Sequence, residues 1–259
     1  MSKFVDRLNQ LARGGSTSLG FLSQKSASLK PKIQLVVSLA QEDSGEPGAL
    51  AGADAGLLRI SKPTAGGEAL RKIAQAIPEI PWGVRLEGGW EKTEEFTKAG
   101  ADFIVFSTTS TPLTIIEAAE AGKILELEPS ISDGLLRTVN ELPVNAVLIA
   151  GEQEESKPLT WQNLMLFQRF ALLLNKPLLV PVPAKVTAGE LKTLWEAGVS
   201  GAVIEAAKQT QDGLKKLRQE IDKLEFSSPR RRERREALLP RIARETSPTK
   251  EEEEEEEEE

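Results

Sequence analysis

The sequence predicts an α/β fold, a small (β/α)8 TIM-like barrel, on three observations. Eight short apolar runs recur along the chain, seven of them follow a glycine or proline, and the stretches between them carry helical periodicity. The runs are 33–39, 56–60, 82–86, 103–106, 124–127, 146–149, 178–182 and 202–204. Gly52, Gly100, Gly122 and Gly198 precede four of them, and Pro81, Pro143 and Pro177 precede three. A glycine just past a helix supplies the left-handed residue that ends it, and a proline stops the helix from continuing. Each such run is therefore entered from a helix.

The intervening helices are expected at 68–77, 135–142, 161–174, 188–197 and 212–224, where apolar residues return every three or four positions. Ser132 and Thr187 fit as N-caps, and Thr187 with Glu190 forms a capping box. Short apolar strands alternating with helices imply parallel βαβ units. Eight such units close into a barrel, assigned here to 32–224. Two features fit less well: residues 41–52 make a poor first helix, and Pro181 and Pro183 sit awkwardly in a central strand.

Ahead of the barrel, residues 1–13 form an amphipathic helix with Phe4, Val5, Leu8, Leu11 and Ala12 on one face. That face either plugs the N-terminal mouth of the barrel or docks on a membrane surface or a partner protein. Residues 14–31, rich in Gly, Ser and Lys, read as a linker. Beyond the barrel, 225–250 is a basic extension and 251–259 is nine consecutive Glu, a self-repelling run expected to be disordered.

The net charge of −7 is uneven. Residues 229–250 carry +5 and the Glu run −9, so residues 1–228 hold only −3. The acidic run neutralises the basic cluster in cis, which disfavours nucleic acid as a partner. A protein partner through 1–13 or 227–259 and peripheral membrane contact through the helix remain open.

The chain has no His, Cys or Tyr. This excludes zinc–histidine sites, thiolate nucleophiles, disulfides and histidine-based triads. No leader is evident at the N-terminus, and polar residues interrupt the most apolar stretch, 159–182. A cytoplasmic address is the expectation.

A barrel places its chemistry at the C-terminal ends of the strands. Strand alternation nominates Ser38 and Gln41, then Arg59, Ser61 and Lys62, then Arg85 and Glu87. Ser107, Thr108, Glu126, Glu128, Glu152, Lys185 and Glu205 follow. One reading is an anion clamp in which Arg59, Lys62, Arg85 and Lys185 hold a phosphate or carboxylate. Glu87 or Glu128 would then be the general base. The other is a charge-compensated interior, with Arg59 and Arg85 paired to Glu126, Glu128 and Glu205. A divalent cation on Glu87, Glu126 and Glu128 is chemically feasible, but no metal site is assigned. No cofactor is indicated: there is no G-x-G-x-x-G motif, no P-loop and no lysine on the sixth strand. Trp161, Met165 and 167–170 read as core.

The segments 53–63 (ADAGLLRISKP), 100–106 (GADFIVF), 146–155 (AVLIAGEQEE) and 194–205 (LWEAGVSGAVIE) resemble a group of uncharacterised barrel-like proteins from Chloroflexi-type bacteria. The resemblance runs the length of the chain and implies the barrel without an activity. The Gly-Ala-Asp turns are also similar to those of flavin- and phosphate-binding barrels. With its catalytic repertoire so reduced, the chain is expected to be a non-catalytic binding or scaffold protein acting through its terminal extensions. The alternative is an enzyme or sensor of a small anionic metabolite, held at the C-terminal face of the barrel.

Overall fold

The structure is a computed structural model that describes residues 2–12, 32–40, 50–60, 80–87, 93–117, 121–151, 157–206 and 211–226. The strands are β1 (Gln34–Ala40), β2 (Ala55–Ile60), β3 (Trp82–Leu86), β4 (Phe103–Ser107), β5 (Gly122–Leu127), β6 (Ala146–Ile149), β7 (Leu178–Pro181) and β8 (Gly201–Glu205). They pair in parallel and in chain order, and β8 returns to β1 to close the barrel. The described helices are α1 (Lys3–Ala12), α2 (Thr93–Lys98), α3 (Asp133–Thr138), α4 (Trp161–Leu173), α5 (Ala188–Glu196) and α6 (Gln211–Lys223). The expected helix at 68–77, the linker 14–31 and everything after 226 lie outside the described residues.

Three of the four turn glycines adopt the left-handed conformation, and two of them are seen to end a helix. Gly52, Gly100 and Gly198 adopt φ of 98°, 97° and 101°. After α2, Ala101 N donates to Phe96 O and Gly100 N to Thr97 O. After α5, Val199 N donates to Leu194 O and Gly198 N to Trp195 O. Both pairs form the Schellman arrangement that ends a helix and turns the chain into the next strand. Gly122 differs: its φ is not positive, and it opens β5. A Cβ there would lie 2.6 Å from Val5 and 2.8 Å from Ser2. Its small size makes room for α1.

Pro181 is accommodated because it is the last residue of β7, and Val182 N resumes the ladder by donating to Val203 O at 3.0 Å. The helix expected over 135–142 is α3 followed by a 3-10 turn over Val139–Glu141. Ser132 and Thr187 cap α3 and α5 through Leu135 N and Glu190 N.

Two separate apolar layers result, as strand alternation in a barrel requires. Outward residues such as Leu35, Val84, Ile104 and Ile204 pack beneath helix residues including Phe167, Phe170, Leu191 and Leu217. Inward residues stack in tiers. Rising one residue per strand, the registers level Val36, Gly83, Ile124 and Leu179, and above them Leu57, Val105, Leu148 and Val203. Phe103 fills the tier below, and Gly83 is glycine because that ring stands 2.3 Å from where its Cβ would be.

Helix α1 seals the bottom. Phe4 and Leu8, both fully buried, join the inward cluster, with the Phe4 ring 4.9 Å from that of Phe103. Burial of each such side chain stabilises by about 1.5–3 kcal/mol. The N-terminus of α1 is capped from two sides. Ser2 Oγ accepts from Val5 N, while Asp102, next to β4, accepts from Lys3 N, Phe4 N and the Ser2 hydroxyl. The apolar face that could have met a membrane or partner is thus occupied within the chain.

Candidate active site

Among the described residues the charged side chains of the lumen stand near its C-terminal mouth, while at the floor Gln34 of β1 is a buried polar residue. One residue along the strands above the tier of Leu57, Leu148 and Val203, the next level holds Ser38, Arg85, Glu126 and Pro181. Arg59, Ser107, Ala150 and Glu205 stand above that. The resulting cleft is shallow and open: about 510 Å³ with the solvent at its opening, of which only about 30 Å³ is cavity. Its floor is Leu57, Leu148 and Val203, its polar wall is Ser38, Arg85, Glu126 and Glu205, and Gly151, Pro183 and Ala184 form part of the rim.

The strongest contact in the cleft is a two-point ion pair. Arg85 donates from Nε to Glu126 Oε2 at 3.1 Å and from Nη2 to Oε1 at 2.6 Å. The two side chains retain only 21% and 9% of their exposure, so little water screens them. Such fork-to-fork pairing fixes orientation as well as charge. Arg59 Nη1 lies 3.5 Å from Glu205 Oε1 and its Nη2 lies 3.4 Å from Glu87 Oε1. Its Cα is in register with that of Arg85, so the two guanidiniums rise from neighbouring strands.

These contacts match the charge-compensated arrangement for Glu126 and Glu205, with Glu87 as a further partner at the rim. Glu128 is apart from them and exposed, because β5 ends at Leu127 and the chain then turns, Ile131 N donating to Glu128 O at 3.1 Å. The alternation that would have carried Glu128 inward stops one residue too soon. Lys185 is exposed on the turn closed by Val186 N and Pro183 O, directly beside the rim residues Pro183 and Ala184. Ser107 faces the mouth, where its hydroxyl lies 3.0 Å from that of Thr109, and Thr108 is exposed. Gln41, Ser61, Lys62 and Glu152 lie outside the described residues. Among the described residues no group of three acidic side chains could hold a metal ion; Glu126 and Glu87 face arginines instead.

Alternation pointed to Glu126 and Glu205 as inward, yet their role as cleft walls was not evident. The signal was the spacing from the preceding glycine: Gly122 and Gly201 start strands whose fifth residue reaches the mouth.

No protein-family model matches the chain, and no curated protein matches it in sequence. Solved structures do match in shape. The thiamine phosphate pyrophosphorylase of Pyrococcus furiosus superposes with a TM-score of 0.56 at 13% identity, over 73% of this chain and 96% of that one. The tryptophan synthase α-subunit of the same organism gives 0.55 at 17% identity, over 74% and 98%. A tryptophan synthase structure from M. tuberculosis gives 0.57 at 13% identity, over 85% and 97%.

The fold is a (β/α)8 barrel.

Identities this low establish shape alone. They nevertheless correct one expectation. The structures this barrel superposes on carry the names of enzymes, which overturns the non-catalytic scaffold acting through its termini. The architecture agrees with that correction: α1, one of the two extensions meant to carry the scaffold role, is built into the floor. The described charged residues of the lumen gather instead at the open mouth. No described helix is long and apolar enough to cross a membrane.

Proposed function

We propose that this chain is an enzyme acting on a small metabolite that carries a phosphate or carboxylate, bound in the C-terminal cleft. The observation that carries the reading is the Arg85–Glu126 pair. A guanidinium has five N–H donors in a rigid plane, and Glu126 engages only Nε and one Nη. The remaining donors are offered to a ligand by a side chain whose rotamer is already set, which reduces the ordering cost of binding.

Arg59 stands beside Arg85 on the adjacent strand and supplies the second cation. Lys185, on the turn at the rim, is placed to close over an anionic group, and Lys62 follows β2 in the sequence. Ser38 Oγ, also in the polar wall, is a neutral donor or acceptor. Without histidine, proton transfer at this mouth falls to carboxylates. Glu205 is the best placed, since it lines the cleft and keeps part of its surface exposed. Glu87, ion-paired to Arg59 at the rim, positions that arginine.

The test is a thermal-shift screen of phosphorylated and carboxylated metabolites against wild type, Arg85→Ala and Arg85→Lys. A ligand at a hundred times its Kd adds about 2.7 kcal/mol, a rise in Tm of roughly 5–10 °C for a domain of this size. The rise should vanish in Arg85→Ala and be partly kept in Arg85→Lys. If no compound moves the wild-type Tm, the reading fails.

A further inference from the structure

The helical period of 161–174 suggests core, and α4 does bury Phe167 and Phe170. Its opposite side contradicts the expectation for Trp161 and Met165. Trp161 is 80% exposed, Met165 70% and Leu172 54%. At 100° per residue these three share one direction, about 180° from the buried phenylalanines. With Gln168 they follow the spacing i, i+4, i+7, i+11, which is the seam of a helix pair.

The seam is free of charge. Arg169 is the one charged residue of α4, and it is turned toward α3. Its Nε donates to Asp133 Oδ1 at 2.7 Å, and its guanidinium also reaches the carbonyls of Pro129 and Ile131. On α3, which packs beside α4, Leu135 is also 60% exposed.

We infer that this face is an isologous interface between two copies of the chain, with the two α4 helices packed antiparallel about a two-fold axis. Three observations favour a second copy over another occupant. First, the seam is self-complementary: an axis between Met165 and Gln168 brings Trp161 of one protomer against Leu172 of its partner, large against smaller, at both ends. Second, the seam lacks charges that would select a partner of opposite sign. Third, the area fits. The exposed side chains hold roughly 500 Å² of apolar surface, the larger part of the about 800 Å² per partner that a stable dimer buries. It is also at the upper range for a patch left on a monomer.

The experiment is sedimentation velocity on the full chain from about 1 to 100 µM. Wild type should run at twice the 28.2 kDa of one chain. Met165→Glu should run as a monomer with unchanged far-UV circular dichroism and cooperative unfolding, its dissociation constant raised at least about thirtyfold. Lys215→Glu, on α6, should leave the dimer intact. Because the chain has no cysteine, Gln168→Cys provides a second readout: a short bismaleimide should link two copies through that position alone. A wild type that stays monomeric at 100 µM overturns the inference, as does a dimer that survives Met165→Glu. A monomer in which Leu238→Glu red-shifts Trp161 emission would show the face covered by the chain's own C-terminal segment, and would also refute it.

Discussion

The carboxylate of Asp102 accepts the backbone N–H of Phe4 at 2.9 Å, tying the start of one barrel strand to the helix that closes the barrel floor. Its other oxygen takes Lys3 N at 2.7 Å, so one side chain satisfies two of the free donors at the start of α1. Replacing it by Ala should cost about 1–2 kcal/mol, the usual worth of a cap plus its charge at a helix N-terminus. Urea unfolding measures the loss. Limited proteolysis after Arg7 should accelerate in parallel if the cap holds the helix down.

Phe4→Ala should be more damaging. The side chain is fully buried against Phe103, and truncating such an aromatic costs about 3–5 kcal/mol. The check is the same denaturation midpoint, with an unchanged m-value expected. A loss below about 1 kcal/mol would mean that α1 does not pack into the lumen.

Two lumen glycines should differ in their tolerance of a methyl group. A Cβ at Gly83 would meet the body of the Phe103 ring at 2.3 Å, whereas one at Gly201 would meet the end of the Leu179 side chain at 2.5 Å. Leucine can change rotamer and the ring cannot move without displacing Phe4. Gly83→Ala should therefore cost toward the upper part of the ~1–3 kcal/mol typical of overpacking, and Gly201→Ala less. Adding Phe103→Leu to Gly83→Ala should recover part of the loss, a coupling that a double-mutant cycle would measure.

At the mouth, Glu126→Ala leaves the largely buried Arg85 guanidinium without its carboxylate partner. The expected cost is about 2–4 kcal/mol, reduced from that of a sealed pair because some solvent reaches Arg85. The double variant Arg85→Met/Glu126→Leu should be more stable than Glu126→Ala alone, since it removes both charges together. Tm values of the three proteins decide the point.

Asp222 gives the expected pH dependence. Burial tends to raise its pKa, but the Lys32 hydrogen bond and the charges of Arg218 and Lys32 outweigh it and hold the pKa below the usual value. A carboxyl depressed in the folded state contributes stability above its unfolded pKa and loses it as pH falls through the folded one. Wild type should thus exceed Asp222→Asn in stability at pH 7, with the difference fading below about pH 4. The side chain is 49% exposed, so the gap should be only a few tenths of a kcal/mol.

The barrel was legible because its signals are local. Gly100 and Gly198 end helices by a conformation that glycine supplies, and the apolar run that follows each is short enough to be a strand. What Asp102 does was not legible: it sits in the same turn, but its partners Ser2, Lys3 and Phe4 lie about a hundred positions away. Asp54 is similar, receiving Leu35 N and Arg218 from distant elements. The candidate site was half legible. Alternation put Arg59, Arg85, Glu126 and Glu205 on the correct side, yet it could not foresee that β5 would stop before Glu128. Nor can periodicity say which of two apolar stripes on one helix faces inward, and so Phe167 and Phe170 were indistinguishable from Trp161 and Met165.

The floor helix also imposes an order of events during synthesis. Leu8 leaves the ribosome early, but the residues it packs among run on to Val203. At 5–20 residues per second the helix waits roughly 10–40 s for the last of them. Through that interval its Phe4 and Leu8 face water with no barrel to enter, and contacts of such long sequence separation form slowly in any case. The nascent chain is therefore most exposed to aggregation just before closure, and a chaperone that recognises short amphipathic helices would find its substrate there.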